Sequence, residues 1–166
     1  MVKPKPQDRA WDADALIGWL GEEGDKMPEC EPVIRWAEQG KVRIIVSTLA
    51  MVEVIKLKRH VPVPKAAQDR IDAFFQRTFL IVRNVDPATA RLARELVWNN
   101  GINPKDAVHV ATALRANAQV LDTFDKALIG RSPLEVAGFK PLVIGRPHIE
   151  GYQPELGEEA SEPPVG

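Results

Sequence analysis

Four acids stand where a carboxylate could do chemistry: Asp12 in WDADALIGWL, Glu53 in LAMVEVI, Asp106 in NPKDAVHVATAL and Asp125 in VLDTFDKAL. Asp12 follows a short extended piece and precedes a helix. Ligand sites in open α/β sheets lie beyond the carboxyl ends of the strands, although an acid at such a joint is also a good helix N-cap. Glu53 is the one charged residue between Leu49 and Ile55. An unpaired buried carboxylate costs several kcal/mol, so such a residue is paired, protonated or metal-bound unless a narrow helix face meets water. Asp106 sits in the first turn of a helix, a place the macrodipole favours without any function. Its i+4 neighbour Val110 lies at the edge of an apolar stripe, which turns Asp106 towards a cleft. His109 is placed to pair with Asp106, though a lone histidine beside an apolar stripe is more often structural. Asp125 follows a strand together with Asp122 and Thr123, and both acids also suit a cap or turn.

Taken together, these carboxylates can be gathered at one edge of a parallel sheet. Like charges held that close repel by kcal/mol amounts unless a cation neutralises them. All-oxygen ligation suits Mg²⁺ or Mn²⁺, which bind through few carboxylates and keep several waters. Such an ion activates water and steadies the charge on a phosphate under attack. No cysteine or histidine cluster suggests zinc, no glycine-rich phosphate loop is present, and no serine sits in a nucleophile elbow. A second enzyme reading takes Asp12-Ala13-Asp14 as the Asp-x-Asp of a haloacid-dehalogenase-like phosphatase, with Asp122 and Asp125 as distal acids. It leaves Glu53 unexplained and lacks a lysine element between the acids.

The elements that must position these groups alternate between helix and short strand, which predicts a mainly parallel α/β sheet. Arg9–Trp11 is extended and leads into a helix over Ala13–Leu20. Pro32 is expected to start a second helix that stops at Gly40. VRIIV, residues 42–46, reads as a buried strand, and Ser47 or Thr48 caps a helix running to about Lys58. A helix over Ala66–Arg77 and a strand over Phe79–Val82 follow. Asp86, Pro87 and Gly101 punctuate the next helix as N-cap, first helical residue and C-terminal stop. Asn103 and Pro104 open another to about Ala116, with Ala107, Val110, Ala111 and Leu114 on its buried face. Gln119–Leu121 and Pro141–Ile144 complete the strands.

The 166 residues suit one domain, 45% of them hydrophobic and 27% charged. Residues 1–144 read as that domain and 145–166 as a flexible acidic, proline-rich tail, with five glutamates against Arg146. Net charge is −1, so bulk basicity announces no nucleic-acid binder. A local strip exists, however: Lys56, Lys58, Arg59, Lys65, Arg70 and Arg77 stand against Asp69 and Asp72. Such a strip binds phosphate backbone or is simply a solvated face. A charged N-terminus, the single Cys30 and the absence of a long apolar run make a cytoplasmic protein the expectation.

In this order, the segments resemble the PIN-domain family, which includes VapC-type toxins. WDADALIGWL is similar to its opening Asp-x-x-x-Leu-Ile element, IVSTLAMVEVIKLK to its strand, hydroxyl and Glu-bearing helix. KDAVHVATAL is similar to its Asp-Ala-x-His-x-Ala-Thr-Ala helix, and VLDTFDKAL to its strand-Thr-x-Asp turn. The resemblance runs from about Arg9 to Leu128. It implies a three-layer α/β/α sandwich and cleavage of RNA by metal-activated water. Asp12, Glu53, Asp106 and Asp125 would hold Mg²⁺ or Mn²⁺, Thr123 would orient the acid site, and Ser47 or Thr48 would match a second hydroxyl. It also implies RNA as substrate, a homodimer, to which tryptophans 11, 19, 36 and 98 could lend surface, and an antitoxin if the protein is a toxin. A PIN-like scaffold without catalysis is the alternative. Asp14, the thin first strand and the acidic tail depart from the family pattern.

Overall fold

Five short strands pair side by side, every neighbouring pair parallel: β1 (Gln7–Trp11), β2 (Val42–Ser47), β3 (Leu80–Arg83), β4 (Val120–Asp122) and β5 (Val143–Gly145). The structure is a computed structural model that describes residues 2–55 and 61–154. The strands lie in the order β3-β2-β1-β4-β5. Among the described residues, seven helices connect or flank them: α1 (Ala13–Leu20), α2 (Met27–Glu38), α3 (Thr48–Glu53), α4 (Gln68–Phe75), α5 (Pro87–Asn100), α6 (Pro104–Arg115) and α7 (Lys126–Ile129). Strand side chains alternate between faces, and the sheet separates two cores accordingly. Trp11, Ile44 and Val46 pack with Leu16, Val33, Ile34 and Phe74 of α1, α2 and α4. Ala10, Ile45 and Leu121 pack with Leu96, Val110, Leu114 and Leu128 of α5, α6 and α7. Each large aliphatic side chain so buried is worth roughly 1.5–3 kcal/mol, which is what holds the expected α/β/α sandwich together.

The order of the strands creates the site. The chain builds outward from β1 through β2 to β3, then crosses back to lay β4 on the other flank of β1. The strand order therefore reverses at β1, and in open α/β sheets such a reversal puts ligand sites beyond the carboxyl ends of the strands, here β1 and β4.

Local signals account for several boundaries. Asp86 caps α5 by accepting from the Thr89 amide at 2.8 Å, and Gly101 ends it with φ 63°, a left-handed conformation that costs a glycine little. Asn103 caps α6 through the Lys105 amide. Elsewhere tertiary packing overrides the local reading. Helix α2 starts at Met27, not Pro32, with Pro28 at its opening and Pro32 inside it. Pro32 forgoes one backbone bond, and the burial of Cys30, Val33, Ile34 and Ala37 carries the helix through. Helix α3 ends at Glu53, well short of Lys58, which lies outside the described residues. The expected helix over 66–77 is a 3₁₀ turn followed by the shorter α4.

The domain edge expected at residue 144 falls inside β5, and the chain beyond it is held. Arg146 grips Glu29 at 2.7 Å, and Ile149 is buried in the core beneath Tyr152. Residues 155–166, the greater part of the expected tail, lie outside the described residues. Among the described residues, no helix is long and apolar enough to cross a membrane.

Candidate active site

Asp12 is the first residue beyond β1 and caps α1, its Oδ1 accepting from the Ala15 amide at 2.9 Å. Its Oδ2 accepts the Thr123 hydroxyl at 2.5 Å. The residue is 3% exposed. Burial pushes its carboxyl up to about 7, Asp14 adds to the rise, and His109, Thr123 and Ala15 oppose it. Thr123, itself buried, also accepts from the Asp125 amide at 3.0 Å, so one hydroxyl joins the end of β1 to the start of α7. Asp125 caps α7 through one oxygen, Oδ1, which accepts from the amides of Ala127 and Leu128 at 2.8 and 3.2 Å.

Asp106 opens α6 and is half-buried above the same edge. Burial is the main reason its carboxyl is raised. The charges of Asp125, Glu53 and Asp14 raise it further, against His109. Asp106 thus feels carboxylates from three other elements, which places the acids in one electrostatic neighbourhood. Glu53 ends α3, and its Oε2 lies 2.6 Å from His109 Nε2. Its other oxygen is 3.8 Å from Lys105 Nζ.

Three expectations change here. His109 pairs with Glu53, not with its own-helix neighbour Asp106, because the ring reaches across to α3. Glu53 does not sit among core neighbours: Ala50 and Val54 are buried, but Met51, Val52 and Ile55 face solvent, with Val52 71% exposed. The phosphatase reading loses a distal acid. Asp122 is fully buried beneath the sheet, where Arg9 grips it through Nε at 2.8 Å and Nη2 at 2.6 Å and Trp11 Nε1 donates at 2.8 Å. Asp14 is tied to Lys26 at 2.9 Å. Of the basic strip, Lys56, Lys58 and Arg59 lie outside the described residues. Arg70 pairs with Glu22 and Arg77 with Glu38, which leaves Lys65 exposed.

Sequence reasoning could not pair Arg9 with Asp122, since the two are 113 residues apart. The thinness of β1 was the available sign, for a charged residue inside a central strand calls for a buried partner.

Whether these residues fit a divalent cation turns on donor chemistry. Among the described residues, no three His, Cys, Asp or Glu side chains stand close enough to grip one ion directly. The donors are carboxylate oxygens, however, and a hydrated Mg²⁺ is held through one or two of them with waters completing its shell. Burial is the main reason the carboxyls of Asp12 and Asp106 are raised, and among the described residues no Lys or Arg hydrogen-bonds either one, so a cation would meet carboxylates that lack a fixed counter-charge. The donor set therefore fits. A cavity of about 1290 Å³ lies at the opposite end of the strands, between Lys5, Trp36, Lys41, Asn117 and Val143. It holds none of these acids, and the convergence of charge marks the site better than volume does.

A family model described as PIN domain matches residues 11–131. No curated protein matches the chain in sequence. Among solved structures, the VapC20 toxin of Mycobacterium tuberculosis, which cleaves the sarcin-ricin loop, superposes with a TM-score of 0.60 at 16% identity. That match covers 77% of this chain and 98% of the toxin. VapBC2 of Rickettsia felis, solved bound to a fragment of its promoter DNA, gives a TM-score of 0.58 at 17% identity, over 83% of this chain and 97% of that one. At these identities the likeness establishes the fold.

Proposed function

The chain belongs to the PIN-domain family, and from that premise we propose that it is a Mg²⁺- or Mn²⁺-dependent endoribonuclease. The observation that carries this reading is the buried Asp12–Thr123 joint at the carboxyl edge of the sheet, with Glu53, Asp106 and Asp125 arranged about it. Asp12, Glu53, Asp106 and Asp125 are the residues that would hold the cation, one or two directly and the rest through its waters. Bound there, the cation supplies a water of lowered pKa and positive charge beside the phosphate.

The protein's own groups do the positioning. Thr123 locks one oxygen of Asp12 and, through the Asp125 amide, fixes where α7 begins. Asp125 keeps one oxygen on its helix and has the other free of protein donors among the described residues. Lys105, its side chain 72% exposed beside Glu53, stands where a phosphate backbone would approach the acids. RNA as the substrate rests on the family, since Arg70 and Arg77 are already engaged by carboxylates.

A toxin paired with an antitoxin is the cellular setting these similarities support, with the cytoplasm as its place. The exposed Met51, Val52 and Ile55 and the exposed Trp98 offer apolar surface to a second copy or to such a partner. The test is direct. Purified Asp12→Asn and Asp106→Asn should fold as the parent does and lose Mn²⁺-dependent cleavage of structured RNA by at least about 100-fold. Unchanged cleavage by both would overturn the proposal. RNA binding without cleavage in the parent would leave a binding scaffold.

A further inference from the structure

We propose that His109 is a positioning residue: its ring holds one oxygen of Glu53 so that the other is presented to the cation. This rests on the metal-dependent reading above and adds a residue to it. Three elements meet at the ring. His109 projects from α6 and is 3% exposed, among Ala107, Val110 and Ala111 of the same helix. Its Nε2 is 2.6 Å from Glu53 Oε2, at the last residue of α3. Its Nδ1 is 3.4 Å from Ser47 Oγ, at the last residue of β2.

Ser47 supplies an independent sign that this arrangement is built. It occupies the N-cap position of α3, where a serine hydroxyl ordinarily accepts from a backbone amide of the first turn. Here its side chain makes no cap bond and lies beside the imidazole instead. A hydroxyl that donates to Nδ1 leaves the ring proton on Nε2, and that proton is then donated to Glu53 Oε2. The neutral ring suffices for this, so the role does not depend on its charge.

The consequence falls on Glu53. A glutamate at a helix end has several rotamers to lose before it can bind anything. Fixing Oε2 removes most of that freedom and leaves Oε1, whose nearest cation is the solvent-exposed Lys105 at 3.8 Å. Lys105 can swing away, whereas His109 cannot. Hydrogen-bonding partners that orient a metal ligand are typically worth about 10–100-fold in metal affinity.

The experiment measures Mn²⁺ affinity of the whole chain by calorimetry at pH 8, with stability followed by urea denaturation in EDTA. His109→Gln keeps an N–H near the position of Nε2 and should bind Mn²⁺ within about threefold of the parent. His109→Asn is equally polar, reaches Ser47 but falls short of Glu53, and should bind about 10–100-fold more weakly. His109→Leu should match His109→Asn if it folds, and the Gln and Asn pair decides the matter if it does not. In a Glu53→Gln background the three substitutions should lose their effect. Equal affinities for the Gln and Asn variants, or equal losses with and without Glu53, would overturn the inference. A readout without metal keeps it separate from the reading on which it rests. The ¹⁵N spectrum of the imidazole should show a proton on Nε2, and the Glu53 carboxyl ¹³C shift should move in His109→Asn but not in His109→Gln. A ring with no proton on Nε2 overturns the positioning role even if Mn²⁺ binds. A parent protein that binds no Mn²⁺ overturns the metal reading even if the spectrum is as expected.

Discussion

Asp122 and Asp12 stand at the ends of neighbouring strands, β4 and β1, and both are shut away from solvent. Asp122 meets an arginine fork and an indole N–H, all three donors coming from side chains on its own face of the sheet. Asp12 meets a hydroxyl and a backbone amide, both neutral, with a second carboxylate, Asp14, close by. Burial raises both carboxyls, but only Asp122 is answered by a fixed full charge within hydrogen-bond reach. Equal depth therefore produces opposite outcomes. One acid is complete within the chain and serves the fold, while the other has no fixed full charge within hydrogen-bond reach among the described residues, and the proposed function gives it a cation.

The contrast can be broken most forcefully from the closed side. Arg9→Met strands Asp122 without its counter-charge and should cost about 3–5 kcal/mol in urea denaturation. Arg9→Met combined with Asp122→Leu should recover most of that loss, since a buried pair replaced by apolar groups is often neutral. If the single substitution is silent, Asp122 is not held as a charge and the contrast fails.

From the open side, pH is the sharper tool. The Asp12 carboxyl titrates near 7 when folded and near 3.8 when unfolded. Between those values the folded protein binds more protons at Asp12, so the stability that Asp12 contributes without divalent cations is fully present below about pH 4 and is lost as pH rises through 7. The steepest slope approaches about 1.4 kcal/mol per pH unit. Thermal melts in EDTA at pH 5, 6, 7 and 8 should show this fall in the parent and a much flatter profile in Asp12→Asn. A parent profile as flat as that of the variant would mean that burial does not raise the Asp12 carboxyl.

A cation should then repair what high pH takes away. Mn²⁺ at 100 times its dissociation constant should add about 2.7 kcal/mol at pH 8 and little to Asp12→Asn. The smallest effect belongs to Trp11→Phe. It deletes one donor to Asp122 while Arg9 remains, and should cost about 1–2 kcal/mol without altering Mn²⁺ binding. Altered Mn²⁺ binding there would mean that the two acids are not separate systems.

Much of the architecture was legible wherever one residue type has one local use. Asp86, Pro87 and Gly101 bound α5, and Asn103 and Pro104 open α6, because caps and fixed φ angles act within a turn. Asp12, Thr123 and Asp125 could be placed at strand ends for a similar reason. Pairings across the chain were not legible. Arg9 with Asp122, and His109 with Glu53 and Ser47, join groups separated by 113, 56 and 62 residues. The segment from Leu49 to Ile55 misled because its apolar residues read as core, whereas Met51, Val52 and Ile55 lie on the surface. Pro32 misled because a proline inside a helix is tolerated when enough of its neighbours bury.

The central place of β1 also governs when the protein can exist as a working molecule. Arg9 leaves the ribosome 113 residues before the partner that neutralises it, a delay of roughly 6–23 s at usual rates of synthesis. Within that interval β1 can pair with β2 once β2 has emerged but not with β4, and neither Thr123 nor Asp125 is yet outside the ribosome. A nascent chain therefore carries no competent acid edge while it is still attached at those lengths. If the proposed nuclease activity holds, the strand order alone would keep it silent until β4 and the turn after it have emerged.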